Sequence, residues 1–433
     1  MLSIANGSPS QASSVSLTSS SNPSVSGQSV TFMVSVSPSS GSSTPTGNVT
    51  FNDGATTLGN VALSGGQANL TTSSLPVRSH SITAAYSGDS NFSGSASPVL
   101  TQVVNQAPTS TAISSSPNPA VTGQSVTFTA TVSPLPPGGG TPTGSVTFTD
   151  GATTLGTAGL NGSGQAMLTV PSLSPGSHSI AGQYSGDSNF GSSSSAGGGG
   201  GGFTQTVNRA STTTTVNSSV NASILNQPVT FTAHVSVVSP GSGSPTGSVA
   251  FQDGSTVLGT VALSAAGSAT FTTSSLVVNA HSITAAYSGD SNFSGSTSAT
   301  LIQRVQYEPA GTTCDGNAGH QILQPINSDG TSVFKLGRPV PAMFRVCDFL
   351  GNSVGTPGVV QNFFLTQIIS GTVTQTVEDN VDSMTPDTAF RWDPTNQQWI
   401  FNIATKGLST NKTYVYAITL NDGTMIGFQF GLK

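Results

Sequence analysis

Few side chains in this 433-residue sequence are placed to do chemistry. His80, His178 and His281 recur at matching positions, with no second His, Cys or carboxylate at ligand spacing. A zinc site needs several such ligands converging on one point. Each is therefore expected to be a hydrogen-bonded histidine at the rim of a core. Asp89, Asp187 and Asp290 lie in Gly-Asp-Ser-Asn segments, where a short carboxylate bonds its own backbone and holds a turn. The alternative is calcium at domain junctions, with Asp53 facing Asp187 and Asp150 facing Asp290. Two carboxylates plus carbonyls fall short of the roughly six to eight oxygens calcium takes. No cofactor is expected, and Ca²⁺ is the metal the pattern raises at all. Glu378, Asp379, Asp382 and Asp387 form an acidic cluster, read as a solvated loop before Trp392, with a weak calcium site as its alternative.

Two serines match catalytic patterns. Gly351-Asn352-Ser353-Val354-Gly355 has the Gly-x-Ser-x-Gly spacing of a nucleophile elbow. That motif requires a strand–turn–helix context and a later acid and histidine. The last histidine, His320, precedes it. Ser409-Thr410-Asn411-Lys412 matches Ser-x-x-Lys, but its companion motifs are missing. Both segments read as turns, so no catalytic residue is expected. Trp392, Trp399, Tyr414 and Tyr416 are candidates for an aromatic platform that stacks sugars. Large aromatics more often fill a small domain's core, and Trp399, Phe401 and Ile403 alternate as a core-facing strand would. Cys314 and Cys347 are compatible with a disulfide, hence with an oxidising compartment. Two buried thiols are the other reading.

The elements that hold these residues are strands. Val30-Thr31-Phe32 recurs at 126–128 and 229–231, and Pro45-Thr46-Gly47 at 142–144 and 245–247. Asp53-Gly54 recurs at Asp150 and Asp253. Tyr86-Ser-Gly-Asp-Ser-Asn-Phe92 recurs from Tyr184 and from Tyr287. Residues 29–37 and 48–51 alternate apolar and polar with period two, and Asp-Gly between such runs marks a hairpin turn. His80, Ile82, Ala84 and Tyr86 share one parity and are expected on one face. About seven strands fit each unit of about 100 residues, the density of a β-sandwich. The six glycines at 197–202 insert a loop into the second repeat.

The order Pro-Thr-Gly-x-Val-x-Phe-x-Asp-Gly, Leu-Gly, His-Ser-Ile, Tyr-Ser-Gly-Asp-Ser-Asn-Phe resembles the bacterial Ig-like domain repeats over roughly residues 11–305. The repeats lack the Cys and Trp framework of antibody domains. From 306 onward the pattern changes: both tryptophans, both cysteines and all lysines lie there. That segment resembles the PxKF domain at the ends of secreted bacterial proteins. Gly337-Arg338-Pro339-Val340-Pro341-Ala342-Met343-Phe344 sits where that family has its namesake motif, with Met343 in place of its lysine.

The fold class is all-β: three tandem Ig-like sandwiches and a C-terminal β-sandwich. The segments are 1–10 (extended), 11–105, 106–208 and 209–305 (repeats), and 306–433 (PxKF-like). Charged residues are 6% of the chain, against about 25% in ordinary domains. Residues 1–305 contain no Lys and no Glu, and carry Arg78, Arg209 and Arg304. That excludes a basic nucleic-acid footprint and Lys–Asn cross-links in the repeats. No run of 18 apolar residues predicts a transmembrane helix. Residues 1–10 have no signal-peptide pattern, so the chain reads as mature or truncated, or as exported by another route. The short linkers at 104–106 and 207–209 imply an elongated array.

The expected function is a non-catalytic structural or adhesive module, extracellular or at the cell surface. Its expected partners are other protein chains or surface polysaccharide. Three alternatives stay open: a filament subunit that polymerises with itself by β-strand addition, a glycan-binding module, and an accessory region of a larger secreted enzyme.

Overall fold

The computed structural model describes residues 10–196, 202–381 and 389–433. Most of the 1–10 segment, most of the 197–202 insertion, Asp382 and Asp387 lie outside these residues. The chain forms two compact units, residues 1–209 and 210–433. The first holds repeats 1 and 2, the second repeat 3 and the C-terminal domain.

Repeat 1 has nine strands: β1 (Ser13–Ser19), β2 (Ser24–Val25), β3 (Val30–Pro38), β4 (Asn48–Asp53), β5 (Thr56–Ala62), β6 (Gln67–Thr72), β7 (Arg78–Tyr86), β8 (Ser95–Ala96) and β9 (Leu100–Asn105). The count exceeds the expected seven because β2 and β8 are two-residue pieces with too little pattern to read. One sheet runs β1-β3-β6. The other runs β2-β9-β7-β4-β5, with β8 on β7. The β2–β9 pairing is parallel and the rest are antiparallel. Repeats 2 and 3 repeat this order as β10 to β18 over 109–208 and β19 to β27 over 212–306.

Period-two alternation builds the core. Val30, Phe32, Val34 and Val36 of β3 are buried, as are His80, Ile82, Ala84 and Tyr86 of β7. Burying each large apolar side chain contributes about 1.5–3 kcal/mol. The Asp-Gly turns close as two-residue hairpin loops. Asp53 pairs with Thr56, and Gly54 takes φ +56°, a left-handed conformation that glycine adopts without steric cost.

A buried glutamine at one position ties the sheets together. Gln102 is fully buried. Its amide donates to the Ser21 carbonyl (2.9 Å) and the Ser24 hydroxyl (3.1 Å), and its oxygen accepts from Ser19 (2.7 Å). Gln205 and Gln303 do the equivalent work in repeats 2 and 3. Asn22 continues the ladder as backbone would, donating to the Thr101 carbonyl and accepting from the Val103 amide.

Within each unit the domain junction uses the same backbone position. In the first unit the Ser26 carbonyl accepts from the Gly139 amide (3.2 Å). In the second the Leu225 carbonyl accepts from the Phe349 amide (3.0 Å), with Asn226 donating to Asp348 beside it (2.8 Å).

The C-terminal domain contains β28 (Thr313–Cys314), β29 (Asn317–Ala318), β30 (Val333–Phe334), β31 (Val340–Phe344), β32 (Val360–Ser370), β33 (Val373–Asn380), β34 (Arg391–Asp393), β35 (Gln398–Ile403), β36 (Lys412–Leu420) and β37 (Met425–Leu432). A sheet β30-β37-β36-β32-β33 and a sheet β31-β35-β34 form the main layers, and β28–β29 is a small hairpin. Cys314 and Cys347 are disulfide-bonded beside that hairpin. Glu378 and Asp379 lie within strand β33, not in a loop. The reason is local: Val373-Thr-Gln-Thr-Val377 is a β-branched run that hairpins from β32 through Gly371, while its largely exposed polar residues gave a loop-like reading. Met343 sits in β31, where its sulfur accepts from the Gln398 amide.

Candidate functional site

The acidic and histidine candidates resolve into closed local networks. Asp53 accepts from His80 Nδ1 (2.7 Å), Arg78 (3.0 Å) and the Ser81 amide (3.1 Å). Asp150 accepts from His178 (2.6 Å) and the Ser179 amide (3.1 Å), and Asp253 is likewise joined to His281 (2.7 Å). Each histidine's Nε2 lies 2.7–2.8 Å from a carbonyl oxygen four residues back. The expectation of a hydrogen-bonded rim histidine names no partner, and the structure supplies an aspartate to each. The near-constant offset, 27 residues in repeat 1 and 28 in repeats 2 and 3, is the signal that would have found this pairing.

Asp89, Asp187 and Asp290 are loop locks. One oxygen of Asp290 accepts from the Thr246 amide and hydroxyl (2.8 and 2.6 Å), the other from the amides of Asn292 and Phe293 (2.7 and 2.8 Å). Asp187 does the same with Thr143, Asn189 and Phe190. Burial works to raise the Asp290 carboxyl, but these bonds outweigh it and hold the group down at about 2. The oxygens of Asp53, Asp150, Asp187 and Asp290 are thus occupied by donors inside their own repeats. Among the described residues no group of three or more His, Cys, Asp or Glu could hold a metal.

The serine motifs are turns. Ser353 pairs by an isolated bridge with Cys347, and Asp348 accepts from the amides of Leu350 and Asn352. Ser409 exchanges bonds with the Tyr414 hydroxyl, its amide donating (2.7 Å) and its carbonyl accepting (3.1 Å). Neither sits on the helix that its motif requires.

The proposed aromatic platform does not form as a face. Tyr414, Tyr416 and Trp399 are buried, with Tyr416 stacked on Phe428 and Phe430, because the alternation of β35 and β36 turns them inward. Trp392 alone of the four is partly exposed. What the structure builds instead is a groove of about 570 Å³ in the C-terminal domain, lined by both tryptophans. Such a volume falls within the roughly 300–1,000 Å³ typical of ligand sites.

Its described aromatic walls are closely packed. Trp392 and Trp399 pair across β34–β35 with ring centroids 5.5 Å apart. Trp399 Nε1 donates to the Val354 carbonyl at 2.9 Å. The Trp392 ring lies against Gly355, where a Cβ would stand 2.2 Å from it. The second glycine of the elbow-like motif is therefore a packing glycine for this ring. Phe363 of β32 sits 5.1 Å from both Phe390 and Phe401. Exposed Gln361, Asn362 and Asn380 add amides to a lining otherwise of glycine, proline and apolar side chains, and none of the described lining residues carries a charge.

Buried polar residues elsewhere in this domain are structural. Arg345 donates to the carbonyls of Cys314, Asp315 and Asn396. His320 meets the Thr424 hydroxyl at 2.9 Å, and that hydroxyl donates to Asp422. Burial pushes the His320 ring below the usual histidine range, partly opposed by Asp422.

Fold and site together define a tandem Ig-like β-sandwich protein with a distinct C-terminal β-domain. The family model for the bacterial Ig-like domain (group 3) matches residues 17–105, 113–216 and 212–306, and the chain belongs to that family. The C-terminal domain lies beyond the matched residues. No curated protein sequence matches the chain. Solved structures similar to it include invasin, a bacterial integrin-binding protein. It is 10% identical with a TM-score of 0.37, the match covering 97% of this chain and 79% of that one. The three N-terminal domains of the bacteriophage RB49 outer capsid protein Hoc are 14% identical with a TM-score of 0.29, covering 75% and 99%. The Escherichia coli adhesin FdeC is 14% identical with a TM-score of 0.24, covering 67% and 96%.

Proposed function

We propose that this chain is a non-catalytic structural and adhesive module of an extracellular or cell-surface protein, in which the Ig-like repeats carry a C-terminal domain that makes the specific contact. One observation carries the reading. In all three repeats the reactive side chains are consumed by the same structural bonds, whereas the described residues of the C-terminal domain form a groove walled by aromatic rings and amides. The disulfide suits an oxidising compartment, and the sparsely charged Ser/Thr surface suits exposure outside a cell. Partners are other protein chains or surface polysaccharide.

A second reading has its own support. Strand β33 is a sheet edge with exposed residues along nearly its whole length. Such an edge accepts a strand from another chain, as in a polymer of this protein.

The test coats the full chain on microspheres and measures their retention on surface-polysaccharide films and protein matrices. Retention above bare spheres is expected, and its loss on spheres coated with a chain ending at residue 305 localises the contact. Retention equal to bare spheres on every film overturns the reading. Negative-stain microscopy at high concentration separates single chains from polymers.

A further inference from the structure

We propose that the groove between Trp392 and the start of β32 binds a neutral saccharide. The inference deepens the adhesive reading by naming the ligand class of its contacting domain.

The lining mixes two chemistries in one cavity. Trp392, Phe363 and Phe390 are partly exposed rings. An aromatic face is apolar and carries partial negative charge, so it suits the axial C–H face of a pyranose. Gln361, Asn362 and Asn380 present amides, each with donors and an acceptor. A sugar hydroxyl is likewise donor and acceptor, so an amide satisfies it in either sense. Gln361 and Asn362 follow one another on β32, where the register against β36 shifts between Val360 and Asn362 and both residues are exposed, while Asn380 ends the neighbouring strand β33. Hydroxyls around one ring edge thus meet amides from two strands.

Charge decides against anionic ligands. Neither the described lining nor the sequence of residues 382–388 supplies a cation to hold a carboxylate, phosphate or sulfate. Taking an anion into such a site costs its hydration without return. A quaternary ammonium would use the rings but would leave the three amides without work.

The described aromatic walls are preorganised. Gly355 fixes Trp392, the Val354 carbonyl fixes Trp399, and Phe363, Phe390 and Phe401 pack on one another. Little ordering entropy is then lost from these rings on binding.

Both tryptophans of the chain line the groove, so intrinsic fluorescence reports on it specifically. The full chain is titrated with neutral hexasaccharides (cello-, chito-, laminari- and manno-series), with polygalacturonate, and with tetramethylammonium. A saturable change with at least one neutral series is expected. The exposed-residue variant Asn362→Ala/Asn380→Ala should weaken it tenfold or more with an unchanged melting curve. Three results would each overturn the proposal: no saturable change with any neutral series, unaltered affinity in the variant, or a response confined to polygalacturonate or tetramethylammonium. If the groove takes no sugar while coated spheres still adhere, the groove assignment alone falls. If sugar binds but spheres do not adhere, the adhesive reading falls instead.

Discussion

Nδ1 of His178 lies 2.6 Å from the Asp150 carboxylate, and its Nε2 lies 2.8 Å from the Ser174 carbonyl oxygen. Both partners only accept, so both ring nitrogens are satisfied together when each carries a proton. Burial disfavours that charge, but the Ser174 carbonyl and Asp150 outweigh it, and the ring is held above the usual histidine range.

The sign of the pH dependence follows. A raised folded value gives stabilisation that is complete below the ordinary histidine range, about 6.5, and is lost as pH rises through the folded value. Hydrogen exchange at the Ser179 amide should therefore quicken from pH 6 to pH 8 by more than the intrinsic rate. In His178→Ala that excess should vanish, with repeat 2 destabilised by about 1–3 kcal/mol. An unchanged profile in the variant would count against the pairing.

The Asp290 lock works in the opposite direction. Its folded value near 2 is depressed, so its stabilisation is present above the unfolded carboxylate range, near 4, and disappears as pH falls through 2. Asp290→Ala leaves four donors without their acceptor. Exchange at Thr246 and Phe293 should rise tenfold or more at neutral pH, while the equivalent amides of repeat 1 stay protected.

His320 is the acid-sensitive point of the C-terminal domain. Its depressed folded value means the unfolded chain binds the proton more readily, so stability falls as pH drops below about 6.5. Urea midpoints for this domain, followed by tryptophan fluorescence, should decrease from pH 7 to pH 5. His320→Gln should flatten that dependence, and a slope kept in full would locate the titration elsewhere.

Reducing the Cys314–Cys347 bond opens a loop of 33 residues. The chain-entropy model gives a loss of about 3–4 kcal/mol. A reductant should lower the urea midpoint of the tryptophan signal and leave the tryptophan-free repeats, followed by circular dichroism, where they were. Coincident shifts of both signals would contradict this.

The groove shows most sharply where reading the sequence stopped. Trp399 and Phe401 were legible as core from alternation alone. Trp392 was not: its place depends on Gly355, some 37 residues away, having no side chain. Strand β33 was missed for a related reason. An edge strand exposed on both faces has no hydrophobic period to read.

By itself the sequence determined the repeats, the inward parity of β3 and β7, the Asp-Gly turns and the end of the repeat pattern near 305. Those are local or periodic properties, written in residue type and spacing. Tertiary structure alone decided the partners. It joined Asp150 to His178, let a buried Gln102 bond three serines, placed Cys314 on Cys347, and set Trp392 and Asn380 around one cavity. Each of these pairs residues far apart in the chain, and hydrogen-bond reach of about 3 Å is fixed by the packing of strands rather than by their order.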